Sequence, residues 1–132
     1  MEKSIIKLDY DGFKNIDFLL KIVKGKKFVL AHFELLVEDL KVFRTNKGFH
    51  IYMKVNKPIE DAELVFIQLA LGSDYARECF NWERVKTQHM GDNWNVLFKK
   101  KFALDTIQKE MIEKELKNVG YELLEYFNDV LK

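Results

Sequence analysis

The chain has 132 residues, the size of one ordinary domain, and is 48% hydrophobic and 33% charged. That is enough apolar material to fill a core, which excludes a disordered chain. Its 22 basic and 21 acidic residues leave a formal charge of +1, which excludes a generally basic protein that coats nucleic acid but not a local basic patch.

The positive charges are Lys except for Arg44, Arg77 and Arg84. A Lys/Glu-rich surface with one Cys and one Pro suits a thermophile, and equally an AT-rich genome. The lone Cys79 can form no internal disulfide and no cysteine-rich zinc site. It lies in an apolar-leaning stretch, 76–82, and reads as a buried, inert thiol. Met1-Glu2-Lys3-Ser4 carries no signal-peptide core, and no apolar run approaches about 18 residues. The expectation is a cytoplasmic protein with no membrane segment.

In chain order, residues 3–9 read as a strand, with Ile6, Leu8 and Tyr10 on one face and Ile5, Lys7, Asp9 and Asp11 on the other. Asp11-Gly12 makes a turn. Residues 13–23 read as a helix, with Phe13, Ile16, Leu19, Leu20 and Val23 at spacings of three and four, ended by Gly25. Residues 27–36, rich in Phe, Val and Leu, read as a second strand, and His32 within it as a satisfied core histidine.

Residues 40–44 and 49–55 form a hairpin around Asn46-Lys47-Gly48. Phe49, Ile51, Met53 and Val55 share one face, and His50, Tyr52 and Lys54 share the other, the pattern of a sheet buried on one side. After Pro58, Asp61 caps a helix to about Leu71 that is apolar nearly all round and should be buried. Gly72 ends it, and Ser73 or Asp74 caps a shorter helix to about Val85. His89 reads as a loop residue.

Residues 94–102 read as a further strand, whose Lys99-Lys100-Lys101 run protects a solvated edge. Asp105, with Gln108 at the capping-box position, starts a long C-terminal helix. Its stripe is Ile107, Met111, Leu116, Val119, Leu123, Phe127 and Val130, and Gly120 predicts a bend or break. The whole reads as one α+β domain over residues 1–132, a mainly antiparallel sheet with helices packed on one face.

Two constellations could carry chemistry. Asp9 and Asp11, two apart at a strand end, point the same way. Such carboxylates repel, and a divalent cation, Mg²⁺ or Mn²⁺, relieves the repulsion. The plainer alternative is a strand end followed by an Asp-Gly turn. The second is 44–50, where a turn with Gly, a hydroxyl, an amide and a Lys can present N–H groups and charge to a phosphate. His50, just beyond it, could bind phosphate or transfer a proton. Its alternative is an ordinary hairpin with a His on its open side. Strand parity puts Asp9, Asp11, Arg44, His50, Tyr52 and Lys54 on faces left unburied.

Together these segments resemble the RRM-like catalytic core of archaeo-eukaryotic primases and primase-polymerases. Leu8-Asp9-Tyr10-Asp11 is similar to that family's metal-binding Asp-x-Asp pair. Thr45-Asn46-Lys47-Gly48-Phe49-His50 is similar to its nucleotide-binding Ser/Thr-x-x-Gly-x-His segment. Leu71-Gly72-Ser73-Asp74-Tyr75-Ala76-Arg77 resembles a Leu-Gly-Asp-Asp-x-x-Arg stretch of small primase-like proteins in archaeal viruses and plasmids.

The resemblance, over roughly residues 3–86, implies a nucleotide- or nucleic-acid-binding domain, with nucleotidyl transfer in viral or plasmid replication as its activity. Asp9 and Asp11 would hold the metal, His50 would join them in catalysis, and Arg44, Thr45, Lys47, His50, Tyr52 and Lys54 would hold the nucleotide. The family's third acid has no counterpart in 94–102, which implies a degenerate relative that binds first and catalyses second. The competing expectations are a non-enzymatic viral or regulatory homodimer, joined through the long end helix, and a metal-free single-strand binder that stacks bases on Tyr52.

Overall fold

The computed structural model describes residues 4–12, 15–88, 91–97 and 106–128. In it the chain is an α+β fold built on a three-stranded antiparallel sheet. The strands are β1 (Ile5–Asp11), β2 (Val37–Arg44) and β3 (Gly48–Val55), in the order β1-β3-β2. The helices are α1 (Ile16–Gly25), α2 (Lys27–His32), α3 (Asp61–Ala70), α4 (Tyr75–Thr87) and α5 (Thr106–Asn128).

The strand parity read from the sequence holds on β1 and β3. Ile6, Leu8, Tyr10, Phe49, Ile51, Met53 and Val55 are buried in one core with Leu19 and Val23 of α1. Leu64 and Ile67 of α3 and Leu116, Val119, Leu123 and Phe127 of α5 complete it. On β2 the core positions Val37 and Leu40 are three apart. A bulge between Val37 and Asp39 resets the alternation so that both face inward.

Residues 27–32 are helix, not strand. Burial of the adjacent Val29 and Leu30, with Phe33 partly buried against the same core, needs a helical face, because neighbours on a strand point opposite ways. Glu34 ends the helix in the left-handed region at φ 56°. The Leu35 N–H returns to the Leu30 carbonyl at 3.0 Å and the Glu34 N–H to that of Ala31 at 3.1 Å. His32 is exposed rather than in the core.

Helix α3 ends as expected at Gly72 (φ 96°), with the Ser73 N–H on the Gln68 carbonyl at 3.1 Å. Its N-cap is Glu60, and Asp61 is its first residue. It is not buried all round, since Phe66 and Leu69 are exposed. Asp74 caps α4, its carboxylate accepting from the Arg77 N–H at 3.1 Å.

Gly120 does not interrupt α5, which runs unbroken from Thr106 to Asn128. A Cβ at 120 would sit 3.0 Å from the Leu40 carbonyl oxygen, so the glycine lets the helix lie close on β2. Met111, expected in the stripe, is exposed. Residues 94–97 form no strand. Phe13, His89, Lys99-Lys100-Lys101, Asp105 and Val130 lie outside the described residues. Among the described residues, no helix is long and apolar enough to cross a membrane.

Candidate functional site

Strand register builds the site. Asp9 lies opposite His50 across β1 and β3. The backbone groups of Asp9 point away from β3. Its N–H donates to the Ser73 hydroxyl at 3.0 Å, and its carbonyl accepts from the Asp74 N–H at 2.6 Å. Asp9 and His50 are therefore a non-hydrogen-bonded cross-strand pair, the kind whose side chains come closest. His50 Nε2 lies 3.5 Å from Asp9 Oδ1, an ion-pair distance too long for a good hydrogen bond. That oxygen is buried and makes no hydrogen bond.

The hairpin tip is clamped onto the end of β1. The Thr45 N–H donates to the Gly48 carbonyl at 2.9 Å, and the Thr45 hydroxyl accepts from the Gly48 N–H at 3.0 Å. The Gly12 N–H reaches the Lys47 carbonyl at 2.6 Å. Asp11 pairs with Gly48, where any Cβ would overlap the Tyr10 carbonyl. Asp11 and Lys47 are thus brought to the same end of the sheet as Asp9 and His50.

These residues line one cavity of about 280 Å³, whose walls include Asp9, Asp11, Thr45, Lys47 and His50. The rest of the lining comes from Asn46 of the hairpin turn, from Asp74 at the cap of α4, from Ala76, Arg77, Phe80 and Arg84 within α4, and from Val96. Asp74 fills the capping place expected of Ser73 or Asp74, whereas Arg77, within the stretch 71–77, has no expected role of its own. Helical spacing of Arg77, Phe80 and Arg84 was the signal that could have found this wall.

The expectation of an open face is corrected in one respect. His50 is only 5% exposed, because β3 is the central strand and α4 with residues 94–97 closes over that end. Arg44 lies elsewhere. It pairs with Phe49 and sits 5.0 Å from that ring's centre, and a cross-strand pair shares one face. Its side is thus that of Phe49, opposite His50. Tyr52 and Lys54 are on the expected side but further along β3, away from the cavity. There Tyr52 packs edge-on against Phe43 with ring centres 5.5 Å apart. Cys79 is exposed rather than buried.

A buried polar network behind the cavity holds α4 against the free edge of β1. Glu78, 2% exposed, accepts from the Ser73 hydroxyl at 2.7 Å, from Gln68 at 2.9 Å and from Asn81 at 3.0 Å, and pairs with Arg77. Arg77 also donates to the Lys7 carbonyl at 2.9 Å and to Asn95 at 2.8 Å. The Lys7 N–H donates to Gln68 at 3.0 Å. An edge strand that would otherwise present bare N–H and C=O groups is satisfied by side chains. Arg77 is spent on this scaffold, whereas Arg84, among the described residues, makes contacts of 3.4 Å to Asn81 and the Trp94 carbonyl.

The carboxylate pair titrates as a unit. Burial raises Asp9, but His50, Asp11 and Arg77 outweigh it and leave it below the ordinary value. Partial burial, Asp9 and Asp74 push Asp11 up to about 6, against a pull from Lys47. The folded state therefore holds a proton on Asp11 between about pH 3.8 and about 6 where the unfolded chain does not, so stability falls as pH rises through that window. Asp11→Asn is expected to raise stability at pH 7 by about 1 kcal/mol, after discounting for the exposure of Asp11. Below about pH 4 it should give no gain. Urea denaturation at pH 4 and pH 7 measures both, and an equal effect at the two values would rule out the repulsion.

A divalent cation fits this pair in a limited way. The unsatisfied buried Asp9 Oδ1 and the strained charge on Asp11 are what a cation would relieve. Among the described residues, no three His, Cys, Asp or Glu side chains are grouped to hold a metal. Mg²⁺ or Mn²⁺ would thus depend on water and a ligand's phosphates for the rest of its shell, as Mg²⁺ commonly does. No protein-family model, curated protein or solved structure matches the chain.

Proposed function

We propose that this cleft binds a nucleotide or the end of a nucleic acid strand, as a primase-like domain would, with Mg²⁺ or Mn²⁺ joining Asp9 and Asp11 to its phosphates. The observation that supports the reading is the convergence of Asp9, Asp11, His50, Lys47 and Arg84 on one cavity. Two carboxylates beside Lys47 and Arg84 suit a polyanion that arrives with a divalent cation. Neither a simple anion pocket nor a closed metal cage has that mixture. Thr45 shapes the turn, Lys47 and Arg84 contact phosphate, and Arg77 holds the wall.

Nucleotidyl transfer is the further step of this reading. A strand hydroxyl oxygen would bond to the α-phosphorus as the bond to pyrophosphate breaks, and the hydroxyl proton would pass to His50. Binding ranks ahead of transfer because the third acid of the cavity, Asp74, caps α4 through its carboxylate, and among the described residues no three such groups are placed to hold a metal.

Calorimetric titration of a nucleoside triphosphate with and without Mn²⁺ tests the reading. Binding should require Mn²⁺ and be lost in the Asp9→Ala, Asp11→Ala double variant. Unchanged binding in that variant sinks the metal role, and chelator-indifferent binding to single strands would favour a metal-free binder using Tyr52 and Lys54. A second reading, an interaction protein that forms a homodimer, draws support from α4, which exposes Tyr75, Cys79 and Trp82. A chain that binds no nucleotide or DNA yet is dimeric by light scattering would favour it. In the C-terminal helix Leu116, Val119, Leu123 and Phe127 are buried within the chain, so a contact through it would use the exposed Met111 and Tyr121.

A further inference from the structure

Helix α4 is inside out. Its buried side carries Glu78 and Asn81, and its exposed side carries Tyr75, Phe80 and Trp82. Of those three rings only Phe80 lines the cleft, and it is 64% exposed. Arg77, Phe80 and Arg84 follow at spacings of three and four, which puts them on one helix face. Phe80 is therefore placed on that face between two residues that line the same cavity. Ala76, one turn before it, also lines the cleft and leaves room beside the ring.

We infer that Phe80 is the platform on which the base of a bound nucleotide stacks. This rests on the nucleotide-binding reading above and deepens it by naming the residue that contacts the base, the part that sets a nucleotide apart from a polyphosphate. A cavity of about 280 Å³ lies just under the span of about 300–1,000 Å³ typical of small-molecule pockets. It accommodates the phosphates beside Asp9, Asp11 and Lys47 and leaves the base at the mouth. An exposed apolar ring lining the same cavity as Lys47 and Arg84 matches the two halves of a nucleotide, an anionic chain and a flat π-face. Stacking on a ring tolerates any base, so the site should discriminate little among the four.

The test compares ATP with inorganic tripolyphosphate by calorimetry in Mn²⁺, for the wild-type chain, Phe80→Ala and Phe80→Tyr. Phe80→Ala is expected to weaken ATP about tenfold and to leave tripolyphosphate unchanged, while Phe80→Tyr keeps ATP affinity. The ring is mostly in water, so neither variant should disturb the fold. An unchanged ATP affinity in Phe80→Ala, or an equal loss for both ligands, overturns the stacking role alone. So does a wild-type chain that holds tripolyphosphate as tightly as ATP. A wild-type chain that binds neither overturns the phosphate-binding reading together with it.

Discussion

Glu78→Ala is expected to destabilise the chain by about 3–5 kcal/mol, the usual cost of breaking a buried ion pair from one side. The variant would strand the Arg77 guanidinium, whose side chain is nearly enclosed. It would also leave the amides of Gln68 and Asn81 and the hydroxyl of Ser73 without their shared acceptor. Burial already lowers the Arg77 pKa and Glu78 offsets it, yet a guanidinium stays charged, so the loss cannot be relieved by deprotonation. Against a typical stability of about 5–15 kcal/mol this is a large share. Urea denaturation measures it, with Glu78→Gln losing less because one acceptor oxygen remains. A midpoint for Glu78→Ala equal to wild type would show that the network is solvated. Since Ser73 and Arg77 also hold the backbone of β1 at Lys7 and Asp9, Mn²⁺-dependent nucleotide binding should weaken with stability.

Gly48→Ala is expected to cost about 3 kcal/mol, at the upper end for overpacking. The position is buried against β1, and a methyl group there would overlap the Tyr10 carbonyl, which is backbone and cannot swing aside. Relief requires the turn to lift from β1, which would break the 2.6 Å bond from the Gly12 N–H to the Lys47 carbonyl and separate Lys47 from Asp11. The variant should therefore lose both denaturation midpoint and ligand affinity. A Gly48→Ala chain within about 0.5 kcal/mol of wild type, the range of ordinary surface changes, would mean that β1 does not pass over the turn.

Local pattern carried a good part of the fold. The alternation at Ile6, Leu8 and Tyr10 and at Phe49, Ile51 and Met53 has a period of two, which only a one-sided strand satisfies. The turn at Asn46-Lys47-Gly48, the stop at Gly72 and the cap at Asp74 are likewise backbone preferences of single residues. The same alternation placed Asp9, Asp11 and His50 off the core side. Residues 27–32 escaped this reading because a short run of Phe, Val and Leu suits either period, and the core it meets decides between them.

Other features depend on partners far away in the chain. Arg44 is not one of them: it alternates in step with Leu40 and Val42, which already puts it on the core side, but local pattern could not tell which residue of β3 it meets. Nor could it tell that Gly120 marks a close approach to Leu40 instead of a break, or that α4 buries Glu78 and Asn81 and exposes Phe80. The residues of the hairpin and of the Asp9–Asp11 pair, and the side of the sheet they take, were determined by the sequence itself, because side-chain alternation is a property of each strand alone. That they form a cleft was decided by tertiary structure. Register sets Asp9 against His50, and the hydrogen bonds that join Ser73 and Arg77 to the β1 backbone at Asp9 and Lys7 fix α4 as the opposite wall. Both are contacts between segments many residues apart, whose geometry exists only once the chain has folded.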